Sequence, residues 1–193
     1  PKTAWPPTCS ANKPIGHSAP LQASAEVVAE TKKQCQLAIR ALGLNNCAIN
    51  IDLLLADDGQ VYMVELTGRV GATCLPELVA LFYGVDYYEM IVKMAMGEDP
   101  RPIFYARSGK ETANASRFLM ANRKGILKEL VNQNPPSDDI ALMDVYVKPG
   151  DVVRPFEDGK DRIGQVVVTG KDLATCLKRL DEISEKIKLV YEE

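Results

Sequence analysis

This sequence has little of what usually announces a function. Among 193 residues there is one histidine, His17, one tryptophan, and 6% aromatic residues in all. A single histidine carries little information by itself. Positive charge is not in excess: the net charge is −3 and the pI about 5.4, which gives no electrostatic case for nucleic acid. No apolar run approaches the length of a membrane span, and no signal-peptide pattern is visible. The five cysteines (Cys9, Cys35, Cys47, Cys74, Cys176) are odd in number, scattered, and form no CxxC, so they read as reduced thiols in a cytoplasmic protein. There is no internal repeat and no low-complexity tract. The chain opens on Pro1 rather than methionine, and the expectation is that it is a piece of something longer.

What is present is ordinary for a soluble globular chain, 46% hydrophobic and 25% charged residues, enough for one large domain or two small ones. Pro1–Pro20 is proline-rich and reads as extended or irregular. Ser24 predicts the cap of a helix reaching about Leu42, with Gly43 as its stop. Pro76 predicts the first turn of a short helix ending before Gly84, and Asp86 with Glu89 makes a capping box for another that Gly97 closes. Pro100 and Pro102 mark Glu98–Lys110 as a boundary. Beyond it, Ala113–Met120, Ile140–Val147 and Gln165–Thr169 read as strands, while Gly125–Asn132 suits a short helix or an irregular strand. Asp172 caps a last helix whose apolar face runs Leu173, Leu177, Leu180, Ile183, Ile187.

The most informative stretch lies between. Ala48–Leu55 and Gln60–Thr67 are apolar-rich and flank Asp58-Gly59, a two-residue turn signal. A hairpin centred there pairs Ile51 with Leu66, Leu53 with Val64 and Leu55 with Tyr62 on one face. The other face pairs Asn50 with Thr67, Asp52 with Glu65 and Leu54 with Met63. Like charges directly opposite in a sheet are destabilising. Three readings of the Asp52–Glu65 pair stand: a hard divalent cation between the carboxylates, a proton shared by them, or a nearby lysine. Asp57 and Asp58 belong to the turn. Immediately after the hairpin comes Glu65-Leu66-Thr67-Gly68-Arg69-Val70-Gly71-Ala72. Gly68 and Gly71 around Arg69 permit close backbone approach, and the guanidinium suits bidentate binding of phosphate or carboxylate. Acids for metal, arginine for anion and an open backbone describe a site for a metal-bound phosphate. Cys74 reads as a buried packing residue and Arg162 as structural.

At these residues the chain resembles the C-terminal half of an ATP-grasp enzyme. In that superfamily an acid on one strand and a Glu-x-Asn-x-Arg run on the next bind Mg-ATP, and the matching positions here are Asp52, Glu65, Thr67 and Arg69. The surroundings agree over roughly residues 14–100. Gly16-His17-Ser18-Ala19-Pro20 precedes the first helix, and Leu75-Pro76-Glu77-Leu78-Val79 and Gly84-Val85-Asp86 follow the acids, an order similar to dipeptide-forming L-amino-acid ligases and to carboxylase-like members. Over 101–193 the likeness is looser and rests on Pro149-Gly150-Asp151 and Asp161-Arg162-Ile163-Gly164.

The resemblance implies an α/β (α+β) fold, with an ATP-grasp C-terminal lobe over 1–100, an antiparallel sheet with flanking helices, and a small β-rich C-terminal subdomain over 101–193. It implies ATP and Mg²⁺ (or Mn²⁺) as cofactors, with Asp52, Glu65 and Thr67 as metal ligands. Arg69 is then the catalytic residue that neutralises the transferred phosphoryl or the substrate carboxylate, with His17 and Gly71 bordering the substrate. The family's asparagine is Thr67 here, and Asn50, opposite it, is the candidate to replace the missing ligand in holding the cofactor. The implied reaction phosphorylates a carboxylate to an acyl-phosphate that an amine attacks. Its partners are a small-molecule carboxylate and amine, with no nucleic acid and no membrane, and a homodimer is left open. The upstream lobe that supplies lysines and a flap in the family is not in this sequence, so the fragment alone is expected to bind ATP poorly and turn nothing over. Two alternatives are a biotin-carboxylase- or purine-carboxylase-like enzyme using bicarbonate, and a non-catalytic module that kept the fold.

Overall fold

The structure, a computed structural model, describes residues 14–192. Most of the proline-rich start, with Cys9, lies outside the described residues. The elements in chain order are β1 (Ser18–Ala19), α1 (Ala25–Ala41), β2 (Asn50–Leu55), β3 (Val61–Thr67), α2 (Leu75–Tyr83), α3 (Tyr87–Ala95), α4 (Arg101–Tyr105), β4 (Ala113–Met120), β5 (Gly125–Asn132), β6 (Ile140–Val145), β7 (Val152–Val153), β8 (Arg162–Gly170), α5 (Leu173–Glu185) and β9 (Ile187–Tyr191). This is a mixed α/β fold with antiparallel sheets and flanking helices. The described residues fall into two compact units, 21–110 and 14–20 with 111–192. The division therefore differs from an expected break at 100/101, and residues 14–20 join the later unit because Ser18 and Ala19 pair with Ala115 and Asn114 of β4.

In the unit 21–110 the helix ends follow the capping residues. The Ser24 hydroxyl accepts from the Val27 N–H, Glu26 sits in the first turn of α1 and Arg40 in its last, each charge opposing the local end of the helix dipole. Asp86 caps α3 by accepting from the Glu89 N–H at 2.8 Å. The Pro76 ring occupies the first turn of α2, where its missing N–H costs nothing. Helix α4 is masked in the sequence by its prolines: Pro102 sits at a first turn that tolerates it, so the boundary segment carries a short helix. α1 packs on β3, and α2 on α3.

The β2–β3 hairpin keeps the expected register at its open end and loses it toward the turn. Asn50 pairs with Thr67, Ile51 with Leu66 and Asp52 with Glu65, but Leu53 then pairs with Met63, Leu54 with Tyr62 and Leu55 with Val61. The turn is the reason. The Gly59 N–H donates to the Ala56 carbonyl, and the Ala56 N–H donates to the Gln60 carbonyl, both at 2.9 Å. Asp57-Asp58-Gly59 is thus a three-residue loop, with Gly59 left-handed at φ 83°, rather than a two-residue turn at Asp58-Gly59. A bulge at Val64, opposite the Asp52/Leu53 step, absorbs the odd residue. The expected pairs Leu53–Val64, Leu55–Tyr62 and Leu54–Met63 are corrected accordingly, and Val64 is 69% exposed rather than on an apolar inner face.

The unit 14–20 with 111–192 holds a four-stranded sheet in the order β1-β4-β8-β6 and a three-stranded one in the order β7-β5-β9. α5 lies on the larger sheet, and its Cys176, Leu180 and Ile183 are buried with Ala115, Val166, Val168 and Leu127. Complete burial of a side chain such as Leu180 or Ile183 contributes about 1.5–3 kcal/mol. Gly125–Asn132 resolves as a strand because Leu127 enters this core and the strand pairs with β9. β9 itself takes Ile187, which helical spacing assigns to the last helix. α5 stops at Glu185, and the chain turns back to pair Ile187 with Asn132. Cys35, Cys47 and Cys176 are free thiols, and among the described residues no helix is long and apolar enough to cross a membrane.

Candidate functional site

The hairpin sets the site. Asp52 and Glu65 are direct cross-strand partners, so their Cβ atoms stand about 4.5–5.5 Å apart on one face. The bulge at Val64 falls immediately before Glu65, a position where bulges characteristically re-aim a side chain. Asp52 is half-buried, while Glu65 is exposed and has no ion-pair partner among the described residues. Asn50, two residues before Asp52 on the same face, extends its amide nitrogen to within 3.5 Å of the Asp52 carboxylate. The Thr67 hydroxyl donates to the Asn50 backbone carbonyl at 3.4 Å.

The loop after β3 folds tightly onto this face. A Cβ at Gly71 would stand 2.9 Å from the Asn50 amide oxygen and 2.6 Å from Leu75 Cδ1, so only glycine lets the loop lie there. Thr73 and Cys74 follow with φ of 59° and 65°, two consecutive non-glycine residues in the left-handed region. For β-branched Thr73 this is real backbone strain, of a kind that concentrates at binding sites. Cys74 is buried, as expected of a packing residue. Arg69 is exposed, and its guanidinium folds back to donate to the Val70 carbonyl at 2.8 Å. It makes no salt bridge among the described residues.

Of the sequence-predicted residues, the structure brings Asn50, Asp52, Glu65, Thr67 and Gly71 together on one end of one hairpin, with Arg69 on the loop that closes it. His17 belongs to the other unit, where its N–H donates to the Ser116 hydroxyl at 3.1 Å and its carbonyl accepts from the Ser116 N–H at 2.7 Å. Sequence reasoning missed the Val64 bulge and the strained Thr73-Cys74 pair. Neither has a composition signal, because valine, threonine and cysteine are not residues that mark a bulge or a left-handed turn.

No three His, Cys, Asp or Glu side chains among the described residues group as a metal cage. Two opposed carboxylates are nonetheless the protein's usual share of a Mg²⁺ site whose other ligands are substrate phosphates and waters. The donor set fits that ion.

Residues 117–192 match the family described as L-amino acid ligase C-terminal domain 2. The chain is 41% identical to phosphoribosylglycinamide synthetase from Anaerococcus prevotii, with a TM-score of 0.89 over 93% of this chain and 46% of that one. The chain has the fold of an ATP-grasp C-terminal lobe. The L-amino acid ligase from Bacillus licheniformis shares the fold at 15% identity, with a TM-score of 0.82 over 94% of this chain and 47% of that one. An uncharacterized protein, y4rH, from Sinorhizobium fredii (strain NBRC 101917 / NGR234) is 32% identical over 134 residues, which is 68% of this chain and 27% of that protein. This chain thus spans about half the length of these two solved structures, and about a quarter of that relative.

Proposed function

We propose that this chain carries the Mg-ATP face of an ATP-dependent carboxylate–amine ligase. The observation that supports the reading above all others is the Asp52–Glu65 pair at a bulge, followed directly by the loop that Gly71 lets fold over it. In this reading Asp52, Glu65 and the Thr67 hydroxyl hold Mg²⁺ (or Mn²⁺) with the ATP phosphates, and Asn50 orients Asp52 through its amide N–H. The ion supplies charge neutralisation on the phosphates when bound. Arg69 swings from the Val70 carbonyl to the transferred phosphoryl or the substrate carboxylate, a motion that breaks one exposed hydrogen bond. The carboxylate becomes an acyl-phosphate, with ADP leaving, and the amine then displaces phosphate. Phosphoryl transfer leaves little covalent work to the protein, so positioning and charge carry the rate. Gly71 borders the substrate. Binding of both nucleotide and substrate calls on polypeptide beyond these residues, so the chain alone binds ATP weakly and has no turnover. A cytoplasmic location accords with its free cysteines.

Phosphate release, measured in the protein that carries this chain against a panel of amino acids and against bicarbonate, tests the reaction class. Release that depends on an amino acid together with an amine supports the ligase. Release that depends on bicarbonate alone, or none with any panel member, overturns it.

A further inference from the structure

β9 closes one side of the sheet β7-β5-β9, and its far edge pairs with no strand among the described residues. The alternation of an antiparallel ladder decides which backbone groups lie along that edge. The Gln133 N–H donates to the Lys186 carbonyl at 3.0 Å, and the Glu192 N–H donates to the Ile126 carbonyl at 2.9 Å. Even-numbered residues of β9 thus turn their backbone groups to β5, and Leu189 and Tyr191 turn theirs to the open edge. The bulge in this pairing lies on β5, between Leu127 and Glu129, so β9 keeps its alternation unbroken. An edge of this kind is a template for another strand.

The side chains are ordered for one particular strand. Leu189 and Tyr191 pack on the core. Lys188, Val190 and Glu192 are exposed on the opposite face, which they share with Ile126 and its cross-strand partner Val152. Neither Lys188 nor Glu192 makes an ion pair among the described residues. A lysine alone on an edge opposes pairing. Here a glutamate follows it four residues on, with Val190 midway between the two. Antiparallel pairing of β9 with its own copy, about a two-fold axis at Val190, sets Lys188 against Glu192 of the second copy at both ends. The two Val190 side chains then meet in the middle, and Leu189 stands opposite Tyr191, so that the groups facing the open edge bond in pairs. Moving the axis to Leu189 or to Tyr191 sets Lys188 or Glu192 against Val190 and loses both Lys188–Glu192 pairs.

We propose that β9 is a self-pairing edge, through which two copies of this chain join into one continuous antiparallel sheet in the register centred on Val190. A two-fold contact requires a patch complementary to itself, and an acid and a base placed symmetrically about one apolar residue meet that requirement. A strand of unrelated sequence would not call for that symmetry, so the occupant is a second copy. The proposal stands on the unit 14–20 with 111–192 alone and does not rest on the Asp52–Glu65 reading.

The test is charge reversal, read by sedimentation equilibrium of the intact protein. The parent should show a concentration-dependent equilibrium between monomer and dimer. K188E puts glutamate opposite glutamate at both ends of the register, and E192K puts lysine opposite lysine. Either should weaken the dimer about tenfold. An equimolar mixture of the two variants should regain the parent's association, because each then supplies the charge the other lacks at both ends. Amide exchange gives a second reading. The Leu189 and Tyr191 N–H groups should exchange more slowly as the protein is concentrated, while those of Lys188 and Val190, already turned to β5, should not change. A parent that stays monomeric at the highest attainable concentration, a dimer that neither variant weakens, or a mixture no tighter than its components overturns the proposal. E65Q should leave the association unchanged, so failure of this interface and failure of the Mg-ATP reading are separate results.

Discussion

Asp52 and Glu65 face each other at the last paired position before Val64 interrupts the ladder. Two like charges held opposite each other cost stability unless something positive lies between them. E65Q should therefore stabilise the chain without metal, by about 0.2–1 kcal/mol, the range for such cross-strand pairs. It should also cancel the rise in melting temperature that Mg²⁺ gives the parent, and in the complete protein it should cut turnover by orders of magnitude. Thermal melts with and without Mg²⁺ read both effects. A variant that keeps the full Mg²⁺ response would remove Glu65 from the metal site.

Gly71 has no room for a side chain. A methyl group at this position would meet Leu75 at 2.6 and 2.9 Å and the Asn50 amide oxygen at 2.9 Å. Gly71→Ala should cost about 1–3 kcal/mol, the usual range for overpacking. It should also displace Asn50 from Asp52 and so weaken the Mg²⁺ response more than the stability loss alone explains. Adding Leu75→Ala removes the nearer clash and should return part of the stability while leaving the Mg²⁺ response impaired. A double-mutant cycle by denaturant melts separates the two contributions.

The hairpin loop rests on Gly59 at φ 83°. An L side chain there costs about 1–2 kcal/mol, and Asn less, because its short amide tolerates the left-handed region. Gly59→Ala should thus lower the denaturant midpoint, and Gly59→Asn should lower it less. Equal effects of the two would place the cost elsewhere than in the backbone angle.

These positions also show how far the sequence can be read. Ser24, Asp86 and Asp172 each announce a helix start because a capping side chain acts within three residues, and the structure has all three bonds. The acids are legible too, since alternation fixes which face a strand residue occupies. What escapes depends on non-local contacts. Val64 bulges because a three-residue loop and the Asp52–Glu65 pair demand different registers, a conflict that appears only when both ends are built. Ile187 has helical spacing from Ile183, yet pairing with Asn132 draws it into β9. The likeness in sequence is sharpest before residue 100, whereas the matching family covers 117–192. Short chemical motifs stand out by eye, but a β-rich subdomain is recognised by its whole pattern of buried positions.

Asp161 gives the unit 14–20 with 111–192 an acid-sensitive tie. Burial works to raise its pKa, but the hydrogen bond from Arg154 and those from the Asp158 and Glu157 N–H groups outweigh it, so the carboxyl lies below the ordinary value. A pKa lower in the folded chain than in the unfolded one means that folding favours the ionised form. Its contribution is complete above the ordinary carboxylate value of about 3.9 and is lost as pH falls through the lowered folded value. Asp161→Asn cannot ionise, keeps the size, and loses the charge that holds Arg154. The difference in melting temperature between parent and variant should therefore be constant from neutral pH down to about 5 and shrink below about 4. A difference that grows as the solution is acidified, or that stays level throughout, would show that the turn is held by packing of Phe156 rather than by the carboxylate.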